Sequence, residues 1–138
     1  VHSLTAREKV GNGVQLYNLS FVSMELVRNQ RIKVKKSFTL PWSDIVLSML
    51  VNQLETKKNI FVEKTVGVKK YIAPNIRPLD VVNTARDQAI ATFKSSPTYM
   101  FYETLKGFNF RTLASLYNEE PFMEYTTFEK GALVGKMV

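Results

Sequence analysis

Tyr99-Met100-Phe101-Tyr102-Glu103-Thr104-Leu105-Lys106-Gly107-Phe108-Asn109-Phe110-Arg111 decides how the rest of the chain is read. Aromatic residues crowd both sides of Lys106-Gly107, so the stretch reads as two short strands joined at a glycine turn. Upstream, Pro78 opens a helix with Leu79, Val82, Ala85, Ala89 and Phe93 on its buried face, ended by Ser95-Ser96-Pro97. Small Ala85 and Ala89 let that helix lie close to a sheet. Helix, strand, glycine turn, strand is the most specific succession in the chain.

Further upstream, Pro41 to Leu54 reads as another helix. Trp42, Ile45, Val46, Met49, Leu50 and Leu54 recur at helical spacing and read as core. Asp44 in the first turn and Lys57 and Lys58 beyond the end suit the helix dipole. Trp42, Ile45, Met49 and Leu50 are expected to pack on Val82, Ala85 and the inner face of the hairpin. Ile60 to Val66 reads as a strand, continued loosely through Val68, Tyr71 and Ile72. Ala73-Pro74-Asn75-Ile76-Arg77-Pro78 reads as an extended connector, because residues before proline avoid the helical region. After the hairpin come a short segment, Leu113 to Tyr117, and a final strand, Phe122 to Phe128.

Near the start, Gly11-Asn12-Gly13 reads as a turn that opens a strand from Val14 to Val22. A dinucleotide-binding glycine loop would instead follow a strand and open a helix. Arg31-Ile32-Lys33-Val34-Lys35 reads as a second strand, with Ile32 and Val34 on one face and the three cations on the other. Together these elements predict an α+β fold: a mixed or antiparallel sheet with two packed helices and an aromatic hairpin. Residues 1–38 form a strand-rich segment and residues 39–138 the α+β unit.

The chain of 138 residues is 45% hydrophobic, enough to bury a core and too apolar for disorder. Val1 rather than Met opens it, which reads as a processed product or a piece of a longer chain. No apolar run is long enough for a membrane-spanning helix, and no signal-peptide core is visible, so no membrane insertion is expected. Without cysteine there is no material for disulfides, zinc ribbons or thiol nucleophiles; with His2 as the sole histidine there is none for a histidine triad or multi-histidine metal site. No P-loop, H-E-x-x-H, EF-hand or G-x-S-x-G pattern occurs. The expectation is therefore a non-enzyme with no catalytic, cofactor-binding or metal-binding residues. Glu103, in the hairpin, is expected to face water or pair with Arg111; adjacent Glu119 and Glu120 would diverge in a helix and be simply solvated in a loop.

The net charge of +7 admits an anionic partner. Its densest segment supplies a candidate basic contact strip: Arg28, Arg31, Lys33, Lys35 and Lys36. The other reading of those residues is the wet face of an edge strand, where lysine discourages aggregation. No aromatic residue interleaves the cations as single-strand stacking requires.

Several of these stretches together resemble a family. Val14 to Met24, the lysine-rich strand ending in Phe38, and Ser43-Asp44-Ile45-Val46 are similar to the baseplate hub protein of T-even-type contractile bacteriophages. So are Tyr71-Ile72-Ala73-Pro74-Asn75, Arg77-Pro78-Leu79-Asp80-Val81-Val82, and Tyr99 to Glu103 through Gly107-Phe108-Asn109-Phe110-Arg111-Thr112-Leu113. Related tail hubs, and the hub part of type VI secretion spikes, share this succession. The resemblance covers residues 14–128 and rests on packing and turn residues. It implies an internal segment of a longer hub, in which Val14–Phe38 ends a tube-like β-barrel and the rest is an inserted α+β domain. It implies a trimer joining tail tube to spike, located in the virion tail or baseplate after assembly in the host cytoplasm. The implied work is mechanical, without turnover. Partners would be further copies, tube and spike proteins, and DNA in passing. The alternative from composition alone is a basic nucleic-acid-binding module.

Overall fold

In this computed structural model, the described residues are 2–9, 11, 13–121, 123–127 and 133–137, with residues 124–127 and 133–137 described by their backbone alone. A hairpin of β1 (Ser3–Lys9) and β2 (Gln15–Ser20) leads into helix α1 (Met24–Arg31) and strand β3 (Val34–Leu40). Helix α2 (Trp42–Ser48) follows and widens into a π-helical turn, Met49–Gln53. Next come β4 (Ile60–Val62), β5 (Lys69–Ile76) and helix α3 (Pro78–Gln88). The aromatic hairpin is β6 (Tyr99–Thr104) and β7 (Gly107–Thr112). Short helix α4 (Leu113–Tyr117) and strands β8 (Met123–Thr127) and β9 (Leu133–Met137) complete the order.

The fold is α+β, with small open sheets rather than a closed barrel. The central sheet has the order β4-β7-β6, with β4 parallel and β6 antiparallel to β7. Separate antiparallel pairs form from β1 with β2, β3 with β5, and β8 with β9. The hairpin runs in register from Tyr99 opposite Thr112 to Thr104 opposite Gly107. Cross-strand rings stack inside it: Tyr99 on Phe110 at 4.5 Å and Phe101 on Phe108 at 5.8 Å between centroids.

Gly107 matters beyond the turn. Its φ of +135° is a conformation that glycine alone adopts readily, and a Cβ there would overlap the Asn59 carbonyl oxygen. The approach lets the Phe108 N–H donate to that oxygen at 2.9 Å, and β4 then pairs with β7 from Ile60 opposite Phe108.

Helices α2 and α3 pack together beside this sheet. Trp42, Ile45, Val46, Met49, Leu50 and Leu54 share the core with Val81, Val82, Ala85, Phe108 and Phe110. The expected meeting of helix, helix and hairpin is therefore present. The π-helical turn, where the Leu54 N–H donates to the Met49 carbonyl at 3.0 Å, leaves Met49, Leu50 and Leu54 all fully buried. Trp42 lies tilted against Tyr71 with centroids 5.0 Å apart, and its Nε1 has no hydrogen-bond partner among the described residues.

Local readings differ from the structure at several points. Residues 24–31 are helical, so Arg31 ends α1 and the strand begins only at Val34. Glu25 in the first turn and Arg28 and Arg31 in the last complement the helix dipole there. Lys69–Ile76 does not continue β4 but pairs with β3, and it includes most of the expected connector. Asn75, at φ +60°, supplies the extra residue of a bulge between Val34 and Lys35, a conformation asparagine tolerates. Helix α3 ends at Gln88, because Ala89 turns extended and residues 90–92 hydrogen-bond along residues 64–66. Phe93 is therefore outside the helix and exposed. In the final expected strand, Met123–Thr127 is β8, while Phe122 and Phe128 lie outside the described residues.

Leu50 is fully buried and Lys35 is exposed. Leu50→Ala should cost about 2–5 kcal/mol through lost transfer energy and a cavity. Lys35→Ala should stay within about 0.5 kcal/mol. Denaturant melts of the two variants check this ordering; a harmless Leu50 change or a crippling Lys35 change would reverse the assignment of faces.

Candidate functional site

The five cations of the basic strip separate in the fold. Arg28 donates through Nη1 to the carbonyls of Leu54 (2.7 Å) and Glu55 (2.9 Å), which clasps α1 to the end of the π-helical turn while the side chain stays 38% exposed. Arg31 lies on the last turn of α1, exposed. Lys36 shares the inner side of β3 with Val34 and Phe38, and its Nζ sits 5.5 Å from the centre of the Phe38 ring. Lys33 is exposed just before β3, and Lys35 lies on its outer face with Ser37 and Thr39.

The β3–β5 pairing adds cations that the strip did not include. Thr39 stands opposite Lys70 and Leu40 opposite Lys69. Lys70 thereby joins Lys35 on the outer face, with exposed Ile72 and Pro74 between them. Among the described residues, Lys33, Lys35, Lys69 and Lys70 take part in none of the ion pairs. Lys69-Lys70 was visible in the sequence, but only the pairing places Lys70 on the face that carries Lys35.

A second polar cluster binds α1 to the hairpin. The Glu25 carboxylate is buried and accepts from Lys58 Nζ and Thr56 Oγ1, at 2.8 and 2.7 Å. Lys58 also pairs with Glu103 and lies 5.3 Å from the centre of the Phe108 ring. Glu103 therefore meets Lys58 rather than Arg111, which pairs with Glu119 instead. The hairpin register explains this: Glu103 is opposite Phe108, whereas Arg111 is opposite Met100. Glu119 is thus paired, not simply solvated.

Burial opposes the charge on Glu25, but hydrogen bonds from Lys58 and Thr56 outweigh it and hold the carboxyl below its usual range. Burial likewise disfavours charged Lys58, and its bonds to Glu103 and Glu25 prevail and raise its pKa. Both shifts favour the charged forms that make the ion pair.

An open groove of about 650 Å³ lies between the central sheet and α4, lined in part by Phe61, Glu63, Phe93, Arg111 and Ser115. Its two carboxylates are occupied: Glu63 accepts from the Thr112 N–H at 2.7 Å and from Thr112 Oγ1 at 2.9 Å, and Glu119 pairs with Arg111. Nearby Tyr99 donates to the Lys64 carbonyl at 3.1 Å. Burial and then the Glu63 charge push the Tyr99 phenol well above its ordinary range, so it remains protonated. Among the described residues, no three carboxylates or histidines gather as a metal site, and no helix is long and apolar enough to cross a membrane. No family model, curated protein or solved structure matches the chain.

Glu25 is ionised more readily in the folded chain than its ordinary value of 4.5 allows, so its contribution is full above that pH and is lost as pH falls through the lower folded value. Glu25→Gln should therefore flatten the fall of stability below about pH 4.5, measured by denaturant melts at stepped pH. Parallel acid limbs for the two proteins would contradict the assignment.

Proposed function

We propose that the chain is a non-catalytic structural part of a phage tail or baseplate hub that links tail tube to spike. The observation that carries this reading is the packing of proline-started α3 on the β6–β7 hairpin, beside α2. It agrees with the order of elements that the tail-hub resemblance implies. The charged clusters are consistent with such a role, since Glu25, Lys58 and Glu103 satisfy one another. In the hub reading, the long chain that contains this segment trimerises, and three copies match a six-fold tube to a three-fold spike.

The experiment is quantitative mass spectrometry of purified particles from a lysate of cells carrying the gene. The reading expects peptides of this chain in the particle, in a one-to-one ratio with the subunits of a trimeric spike. Absence from particles that contain sheath, tube and spike would overturn it.

A second reading is favoured by one observation: Lys35 and Lys70 share the outer β3–β5 face, near Lys33, without ion-pair partners among the described residues. That face suits the phosphates of a nucleic acid. Phosphate contact would make oligonucleotide affinity fall steeply with salt, and Lys35→Glu with Lys70→Glu should abolish it. Lack of binding at low salt removes this reading and leaves the hub reading untouched.

A further inference from the structure

Helix α1 is attached inside out. A surface helix ordinarily turns its apolar stripe to the core and its polar side to water. Here the buried residues are Glu25 and Asn29. Glu25 is held by Lys58 and Thr56, Arg28 by the carbonyls of Leu54 and Glu55, and Asn29 Oδ1 accepts from the Leu79 N–H at 2.8 Å. The apolar residues face outward: Met24 is 63% exposed, and Leu26 and Val27 are also exposed. Val22, just before the helix, is exposed and lines the same groove as Leu26 and Val27, and neighbouring Phe21 is 69% exposed.

We infer that the outward side of α1 docks an apolar, carboxylate-bearing segment of a separate protein. Contiguous exposed apolar surface of this kind marks interaction sites. It already has relief: Val22, Leu26 and Val27 line a groove of about 230 Å³ with His2, Gln30 and Arg31. Charge selects the occupant. The helix's acid, Glu25, is committed inward to Lys58, and Arg28 is committed to backbone carbonyls. Arg31 is left at the groove with no ion-pair partner among the described residues. A second copy meeting this surface with its own would bring no carboxylate to Arg31, since the groove lining carries none and Glu25 is committed inward. A segment with apolar side chains and a carboxylate placed for Arg31 satisfies both features. The inference is independent of the tail-hub reading, since it uses only the orientation and charge of α1.

A random twelve-residue peptide library panned on the folded chain, with counter-selection on Leu26→Asp, tests it. The expected result is enrichment of sequences combining apolar residues with Asp or Glu. Synthetic copies of those peptides should lose about tenfold in affinity for Leu26→Asp and about fivefold for Arg31→Glu. Lys70→Glu makes the same charge change at the far end of β3–β5 and should alter affinity less than about twofold. Circular dichroism checks each variant, and the Arg31 arm stands by itself if Leu26→Asp fails to fold. No enrichment, enriched peptides without acids, or equal losses for Arg31→Glu and Lys70→Glu would overturn the proposal. So would sedimentation as an oligomer that Leu26→Asp dissolves, because the occupant would then be a second copy.

Discussion

The joining of β4 to the aromatic hairpin depends on the empty space where Gly107 has no side chain. The Asn59 carbonyl fills that space, which lets the Phe108 N–H reach it and starts the parallel pairing of β4 with β7. Strand β7 is then flanked on both sides, by β4 and β6, and it is the most buried of strands β1 to β7. Phe108 and Phe110 project from it into the core that α2 and α3 complete. Any side chain at residue 107 would push β4 away and expose the edge on which that core is assembled.

Outside this core a different kind of attachment takes over. Helix α1 is joined by hydrogen bonds and ion pairs rather than by apolar packing. One of those bonds also serves α3. Arg77 offers no capping oxygen, so Asn29 reaches across to satisfy an N–H in the first turn of that helix. Polar attachment fixes α1 in one orientation, since Glu25 and Asn29 each have a single set of partners. Beyond it, every residue of β2 is exposed, and a lone two-stranded hairpin is marginal in water. The β1–β2 hairpin gains little from the core and is the weakest attached of the described elements that carry side chains.

Much of the core was legible in the sequence because its signals are local. Proline-started α3, the helical spacing of Trp42, Ile45, Met49 and Leu50, and the aromatic residues around Lys106-Gly107 each point to one element. What was not legible depends on partners distant in sequence. Helix α1 has its apolar residues on the outside, so a periodicity that assigns apolar to buried cannot find it. Strand β5 looks like a continuation of β4 until β3 claims it. The end of α3 carries no local glycine or proline, and is set by residues 64–66 pairing with residues 90–92. The candidate strip divided for the same reason: neighbouring cations in sequence went to a carbonyl clasp, a groove, an aromatic ring and an open strand face.

The core is thus built around β7, with α1 clasped to it by polar contacts and the β1–β2 hairpin held least. Native-state amide hydrogen exchange, read residue by residue at low denaturant, tests this hierarchy most directly. The amides of Phe108 and Phe110 in β7, with those of Leu50 and Val82, should exchange only through global unfolding. Those of α1 should open at lower free energy, and those of β2 lower still. Protection of Tyr17 and Leu19 equal to that of Phe110 would contradict it, since the hairpin would then belong to the same cooperative unit as the core.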